Sequence, residues 1–180
     1  MRRSLCLFSL AFSPLLLDGQ GKPDSQRHAI CILYPQESTV RGLVSFSQGA
    51  IDQPVSIACS LKGLSPNGKH GLHIHEFGDL TRGAVTTGDH FNPKGKRHGS
   101  PFGEERHAGD LGNLQADPFG SAYMCMSDKQ ITLFGELSIL GRSVVVRAQE
   151  DDLGRSNHPD SLVNGNAGLP LATGVIGWSK

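Results

Sequence analysis

The sequence predicts an all-β domain, a sandwich or barrel of eight short strands, on three observations. Runs of β-forming residues recur along the chain, Gly, Pro, Asn or Asp separates most of them, and no stretch carries a convincing helical period. With 23 glycines and ten prolines among 180 residues, the chain is punctuated too often for long helices. It holds no internal repeat or low-complexity tract.

Taken in order, residues 28–34 carry Ile30, Ile32 and Tyr34, residues 39–46 carry Val40, Val44 and Phe46, and residues 55–61 carry Val55, Ile57 and Leu61. Residues 71–76 set Leu72 and Ile74 between His73 and His75. Further runs follow at 122–126 with Tyr123, at 131–135 with Ile131 and Phe134, at 143–148 with Val144, Val145 and Val146, and at 173–178 with Val175, Ile176 and Trp178. The spacing breaks at residues 77–120, a segment rich in Gly, His, Pro and charge. Structureless loops of that length are uncommon in compact domains and are usually functional. Metal binding is the expected device for ordering it.

At 180 residues, 37% of them hydrophobic and 6% aromatic, the chain can bury one modest core, so a single domain is expected over 22–180. Residues 1–21 read as a secretory signal peptide: Arg2 and Arg3 precede an apolar stretch from Leu5 to Leu17, then Asp18 and the small-x-small triplet Gly19-Gln20-Gly21. The apolar stretch is too short to span a bilayer as a helix. A secreted protein beginning near Lys22 is expected. Its cysteines would be Cys31, Cys59 and Cys125, an odd number for an oxidising compartment, which leaves a cytoplasmic location as the alternative. Lys and Arg total 17, as do Asp and Glu, so charge gives no reason to expect nucleic acid or a membrane as partner.

Six of the eight histidines fall between His70 and His107. Strand alternation puts His73 and His75 on one face and Ile74 on the other, so two ligands can reach one metal from one strand. His98, His107 and Asp110 come from the long loop, with His90 between the two groups. A set of three histidines and one aspartate suits a closed tetrahedral zinc site of structural type.

These residues lie in stretches that resemble the Cu/Zn superoxide dismutase family. They are Gly71-Leu72-His73-Ile74-His75-Glu76-Phe77-Gly78-Asp79, His90-Phe91-Asn92-Pro93, Glu104-Glu105-Arg106-His107-Ala108-Gly109-Asp110-Leu111-Gly112-Asn113, Asp151-Asp152-Leu153-Gly154 and Gly165-Asn166-Ala167-Gly168 before Gly174-Val175-Ile176-Gly177. The resemblance implies an eight-stranded Greek-key β-barrel or flattened sandwich with long metal-binding loops. It makes His73, His75 and His90 copper ligands and His90, His98, His107 and Asp110 zinc ligands, His90 bridging the two metals. Asp151 then accepts hydrogen bonds from His73 and His98, fixing their rings. The implied partners are superoxide and a second copy of the chain, as a homodimer.

The departures are as informative. Arg147 stands where the family places a fourth copper histidine, and a guanidinium has no lone pair to offer a metal. The family's disulfide positions correspond to Ala84 and Thr173, and its anion-guiding arginine to Pro170. Losing a disulfide that closes such a loop costs ~2–5 kcal/mol, which zinc binding can offset. Two expectations follow for Arg147: its charge replaces the copper, or its side chain turns out into solvent and leaves a weakened three-histidine site. Three functional readings follow. They are a dismutase cycling copper between Cu(II) and Cu(I) with weak or no activity, a zinc-stabilised non-enzymatic binding or structural protein, and a copper-chaperone-like domain. The chaperone's Cys-x-x-Cys and Cys-x-Cys motifs are absent from the sequence.

Overall fold

The computed structural model describes residues 26–180. The signal peptide expected over 1–21, with Cys6, lies outside the described residues. Among the described residues nine strands run β1 (Arg27–Pro35), β2 (Arg41–Gln48), β3 (Val55–Lys62), β4 (Lys69–His75), β5 (Thr81–Ala84), β6 (Asp110–Gln115), β7 (Ala122–Asp128), β8 (Ser143–Arg147) and β9 (Pro170–Trp178). One short helix, α1 (Ser161–Asn164), precedes β9 and ends at Gly165 in the left-handed conformation. Four residues are too few to leave a helical period in the sequence.

Eight strands form one antiparallel sheet in the order β6-β4-β8-β9-β1-β2-β3-β7. Strands β1 to β3 form a meander; the chain then crosses to lay β4 between β6 and β8, and crosses back to set β7 beside β3. The sheet curls into a nearly closed barrel. Its two edges approach where the turn after β3 bonds the turn before β7, Leu64 N donating to Gly120 O at 3.0 Å and Asn67 N to Asp117 O at 3.1 Å.

Period-2 patterning explains what faces the core. In β3 the buried Val55, Ile57, Cys59 and Leu61 alternate with more exposed residues, and they pack with Leu33, Phe46 and Ile176. Burying each such side chain stabilises the fold by ~1.5–3 kcal/mol. Strand β4 breaks the pattern because both faces are buried from His70 onward. Leu72 and Ile74 enter the core. His73 and His75 lie on the outer face, which the long loop covers.

Two expectations are corrected. Residues 131–135 form no strand, although Ile131, Leu133 and Phe134 are buried. Side chains replace the ladder there: Asp128 Oδ1 accepts from Gln130 N at 2.7 Å and Gln48 Oε1 from Leu133 N at 2.7 Å. The eighth strand of the sheet is β6, inside the segment read as a loop, where Gly112 and Asn113 hide a strand that is buried on both faces. The same segment also holds the short β5.

Where the family resemblance sets a disulfide, Thr173 Oγ1 donates to Val144 O at 2.9 Å and Ala84 N to Gln36 Oε1 at 3.3 Å. Gln36 N in turn donates to Leu171 O at 2.7 Å, so one glutamine links β5 to β9. Cys31 and Cys59 are buried free thiols. Burial pushes both up to about 12, which keeps them unreactive near neutral pH.

Candidate metal centre

The long loop is stitched onto the outer face of β4 by backbone bonds. Phe91 N donates to Ile74 O at 2.8 Å, Ile74 N to Gly109 O at 2.9 Å and Gly109 N to Phe91 O at 2.9 Å. Position 109 requires glycine, because a Cβ there would lie 2.1 Å from Ile74 O. This places His90 beside His75, with which it forms a β-bridge, and brings His107 and Asp110 to the start of β6.

Asp110 organises one half of the cluster. Its Oδ2 accepts from His107 N at 2.9 Å and Gly99 N at 3.1 Å. Its Oδ1 faces His90 Nδ1 at 2.8 Å, His98 Nδ1 at 3.0 Å and His107 Nδ1 at 3.3 Å. The His98 and His107 nitrogens are buried there without hydrogen-bond geometry. Three imidazoles aimed at one carboxylate oxygen enclose a position suited to a cation.

The other half is defined by nitrogens that have no partner. Among the described residues, His73 Nδ1, His75 Nε2 and His90 Nε2 are buried without a hydrogen bond. The opposite nitrogens of the first two rings are engaged: His73 Nε2 bonds Asp151 Oδ2 at 2.8 Å and His75 Nδ1 donates to Gly88 O at 2.7 Å. That network assigns the protons to the engaged atoms and leaves lone pairs on the others. Buried unpaired polar atoms are rare, and five imidazole nitrogens in one cluster point to metal coordination. The His90 ring lies between the halves, stacked on His73 with centroids 3.9 Å apart. One ligand atom from each of His73, His90, His98 and Asp110 falls within 4.8 Å of the others. That grouping mixes the halves; the direction of the unpaired nitrogens separates them.

Asp151 joins the halves, bonding His73 through Oδ2 and His98 Nε2 through Oδ1 at 2.7 Å. Asn113, for which the sequence reading gave no role, fixes Asp151 from behind: its Oδ1 accepts from Asp151 N at 2.7 Å and its Nδ2 donates to Asp151 O at 2.8 Å. Its place in the Asp110–Asn113 motif was the available signal.

The electrostatics follow from burial and these bonds. Burial lowers His73 to about 4 and His75 and His90 to about 3, so all three are neutral near pH 7. Burial also opposes charge on His98, but the Asp110 and Asp151 carboxylates beside its two nitrogens outweigh it and push the ring up to about 9. Asp110 and Asp151 sit well below the usual carboxylate range, because their histidine bonds outweigh the cost of burial.

Arg147 neither fills the histidine set nor turns fully into solvent. It is half-buried at the end of β8, beyond a register shift, directly opposite Pro170 of β9. Its carbonyl accepts from His70 Nδ1 at 2.9 Å and its Nη1 donates to Gly168 O at 3.2 Å, while Nε is buried without a partner. Burial lowers its pKa, and its charge is one of the causes that depress His75. Both residues line a pocket of about 720 Å³ that opens over the cluster.

The family profile described as copper/zinc superoxide dismutase (SODC) matches residues 40–176. Cu-Zn superoxide dismutase 5 of Dictyostelium discoideum is 48% identical over 152 residues, covering 84% of this chain and 98% of the relative. The Cu-Zn superoxide dismutase of Cryptococcus neoformans var. grubii is 50% identical over 143 residues, 79% of this chain and 93% of that one. A putative Cu-Zn superoxide dismutase of Orgyia pseudotsugata multicapsid polyhedrosis virus is 51% identical over 150 residues, 83% and 96% of the two chains.

Proposed function

The chain belongs to the copper/zinc superoxide dismutase family, and from that premise we propose that it is a zinc-holding member in which dismutation of superoxide to oxygen and hydrogen peroxide is impaired or lost. The observation that carries this is Arg147, a half-buried guanidinium with no carboxylate partner among the described residues, beside the three-histidine set.

His90 Nδ1, His98 Nδ1, His107 Nδ1 and Asp110 Oδ1 would hold zinc, a donor set of the structural type. His73 Nδ1, His75 Nε2 and His90 Nε2 would hold copper, which when bound supplies one-electron chemistry between Cu(II) and Cu(I). Asp151 keeps His73 and His98 in the orientation that directs their free nitrogens inward. Gly88 O does the same for His75. Arg147 opposes occupation of the second set: at ~4 Å a unit charge repels a dication by ~2 kcal/mol even in the water-like limit. Pro170 contributes no charge to attract superoxide.

Metal analysis and a dismutase assay on the same preparation test this reading. Expected are about one zinc per chain, weak copper retention, and little dismutation even in excess copper. Turnover by the copper-loaded protein near the diffusional ceiling of ~10⁸–10⁹ M⁻¹s⁻¹ would overturn it. A homodimer belongs to the same proposal, supported by exposed Ile32, Leu43 and Val175 on the adjacent strands β1, β2 and β9, with Phe77 and Trp178 also exposed. Secretion, with a mature start near Lys22, is proposed from the sequence of residues 1–21. N-terminal sequencing of the mature product checks it.

A further inference from the structure

We propose that Arg147 makes the pocket over the histidine cluster a binding site for a small organic carboxylate, held by the uncommitted Nη2 of the guanidinium with its apolar body against Leu162 and Val163. This goes beyond the reading above and needs no copper.

The guanidinium is half used. Nη1 is committed to Gly168 O, whereas Nε is buried with no partner and Nη2 makes no hydrogen bond among the described residues. With Nε closed off from solvent, Nη2 is the N–H group left to a ligand, and a carboxylate would accept a charge-assisted hydrogen bond from it. No acid in the described residues forms an ion pair with Arg147 or with Arg97, which shares the pocket. Of the two lining carboxylates, Glu76 and Asp89, both are exposed, and Glu76 interacts with Arg142. Lys96, Arg97, Arg142 and Arg147 therefore outnumber the acidic residues of the lining.

Size and surface decide between an inorganic oxoanion and an organic one. The pocket's volume of about 720 Å³ lies within the range of small-molecule sites, ~300–1,000 Å³, and far exceeds what a lone oxoanion fills. Among its mixed lining, Phe91, Leu137, Leu162 and Val163 supply apolar surface. Leu162 and Val163 project from α1 with 46% and 59% of their surface exposed, although α1 is anchored to the metal loop by His98 N donating to Leu162 O at 3.0 Å. An apolar wall facing an unpaired guanidinium suits an amphipathic anion.

Calorimetric titration of the zinc-loaded, copper-free full-length protein with benzoate, benzamide and inorganic phosphate tests the proposal. Benzoate is expected to bind about tenfold or more tightly than benzamide, which keeps its shape without the charge, and than phosphate, which lacks the apolar body. Arg147→Leu should abolish the preference for benzoate, and Arg147→Lys should keep only part of it. Val163→Asp, at an exposed position, should weaken benzoate in a protein that retains its zinc, so the test survives a folding failure at position 147. Equal binding of benzoate and benzamide overturns the proposal. So does phosphate binding as tightly as benzoate, or unchanged benzoate affinity in the Val163→Asp and Arg147→Leu proteins.

Discussion

On one side of the His90 ring, three imidazoles converge on Asp110, whose second oxygen is held by two backbone amides. On the other, His73, His75 and His90 carry free nitrogens, and His75 and His90 share a pocket with the Arg147 guanidinium. Both halves are buried and both hang from β4 and its covering loop. The difference lies in the fourth contributor: a carboxylate at the start of β6 against a cation at the end of β8. Backbone pairing of β4 with β8 fixes the places of His73 and His75 whatever side chain stands at position 147.

The largest expected effect separates the halves by removing zinc. Chelation, or Asp110→Ala, should lower the melting temperature by about 10 °C or more in calorimetry, since a site saturated at a thousand times its Kd stabilises by ~4 kcal/mol. Copper depletion should change it far less.

Acid sharpens the comparison in the metal-free protein. His73, His75 and His90 are lowered from 6.5 to about 4, 3 and 3, so the unfolded chain binds more protons than the native one below pH 6.5. Their contribution is complete above pH 6.5 and is lost as pH falls through those values. His98, raised to about 9, acts oppositely: its contribution is complete below pH 6.5 and is lost as pH rises through about 9. Urea midpoints should therefore peak near pH 6.5 and fall on both sides, more steeply toward acid. A flat profile between pH 4 and 6.5 would refute the assignment of neutral histidines.

Asp151→Asn should loosen both halves together, because one carboxylate orients His73 and His98. A loss of ~10–100-fold in affinity is expected for zinc and for copper alike, read by competition with a chelator. Arg147→His should act on one half only, raising copper affinity about 30-fold from relieved repulsion alone and leaving zinc unchanged. Useful turnover is expected only when Pro170→Arg is added, and proline's fixed backbone makes partial recovery the expected outcome. Outside both halves, oxidised Ala84→Cys/Thr173→Cys, which joins β5 to β9 where Gln36 now links them, should add ~2–4 kcal/mol in denaturant titration with no change in metal content.

Much of this was legible in the chain. Alternation around Ile74 placed His73 and His75 on one face, and the order of the motifs through residue 177 carried the barrel and pointed to side chains that the fold gathers into one cluster, His73, His90, His98 and Asp110 among them. Strand β6 was not legible, because Gly112 and Asn113 read as loop residues and only pairing with β4 makes them a strand. Residues 131–135 were misread for the complementary reason: an apolar run signals burial, and burial here is achieved by a loop whose amides bond Asp128 and Gln48.

The sequence by itself determined which side chains are available: five histidines and an aspartate in metal-ligand order, an arginine where a ligand is expected, and neither cysteine of the family's disulfide. Those are chemical identities, fixed at synthesis. Only the tertiary structure decided which nitrogen of each ring is free, that Asp110 faces three rings at once, and that Arg147 lies opposite Pro170 with one edge unpaired. Such relations depend on strand register and on backbone bonds between segments distant in sequence, which no local pattern of residues encodes.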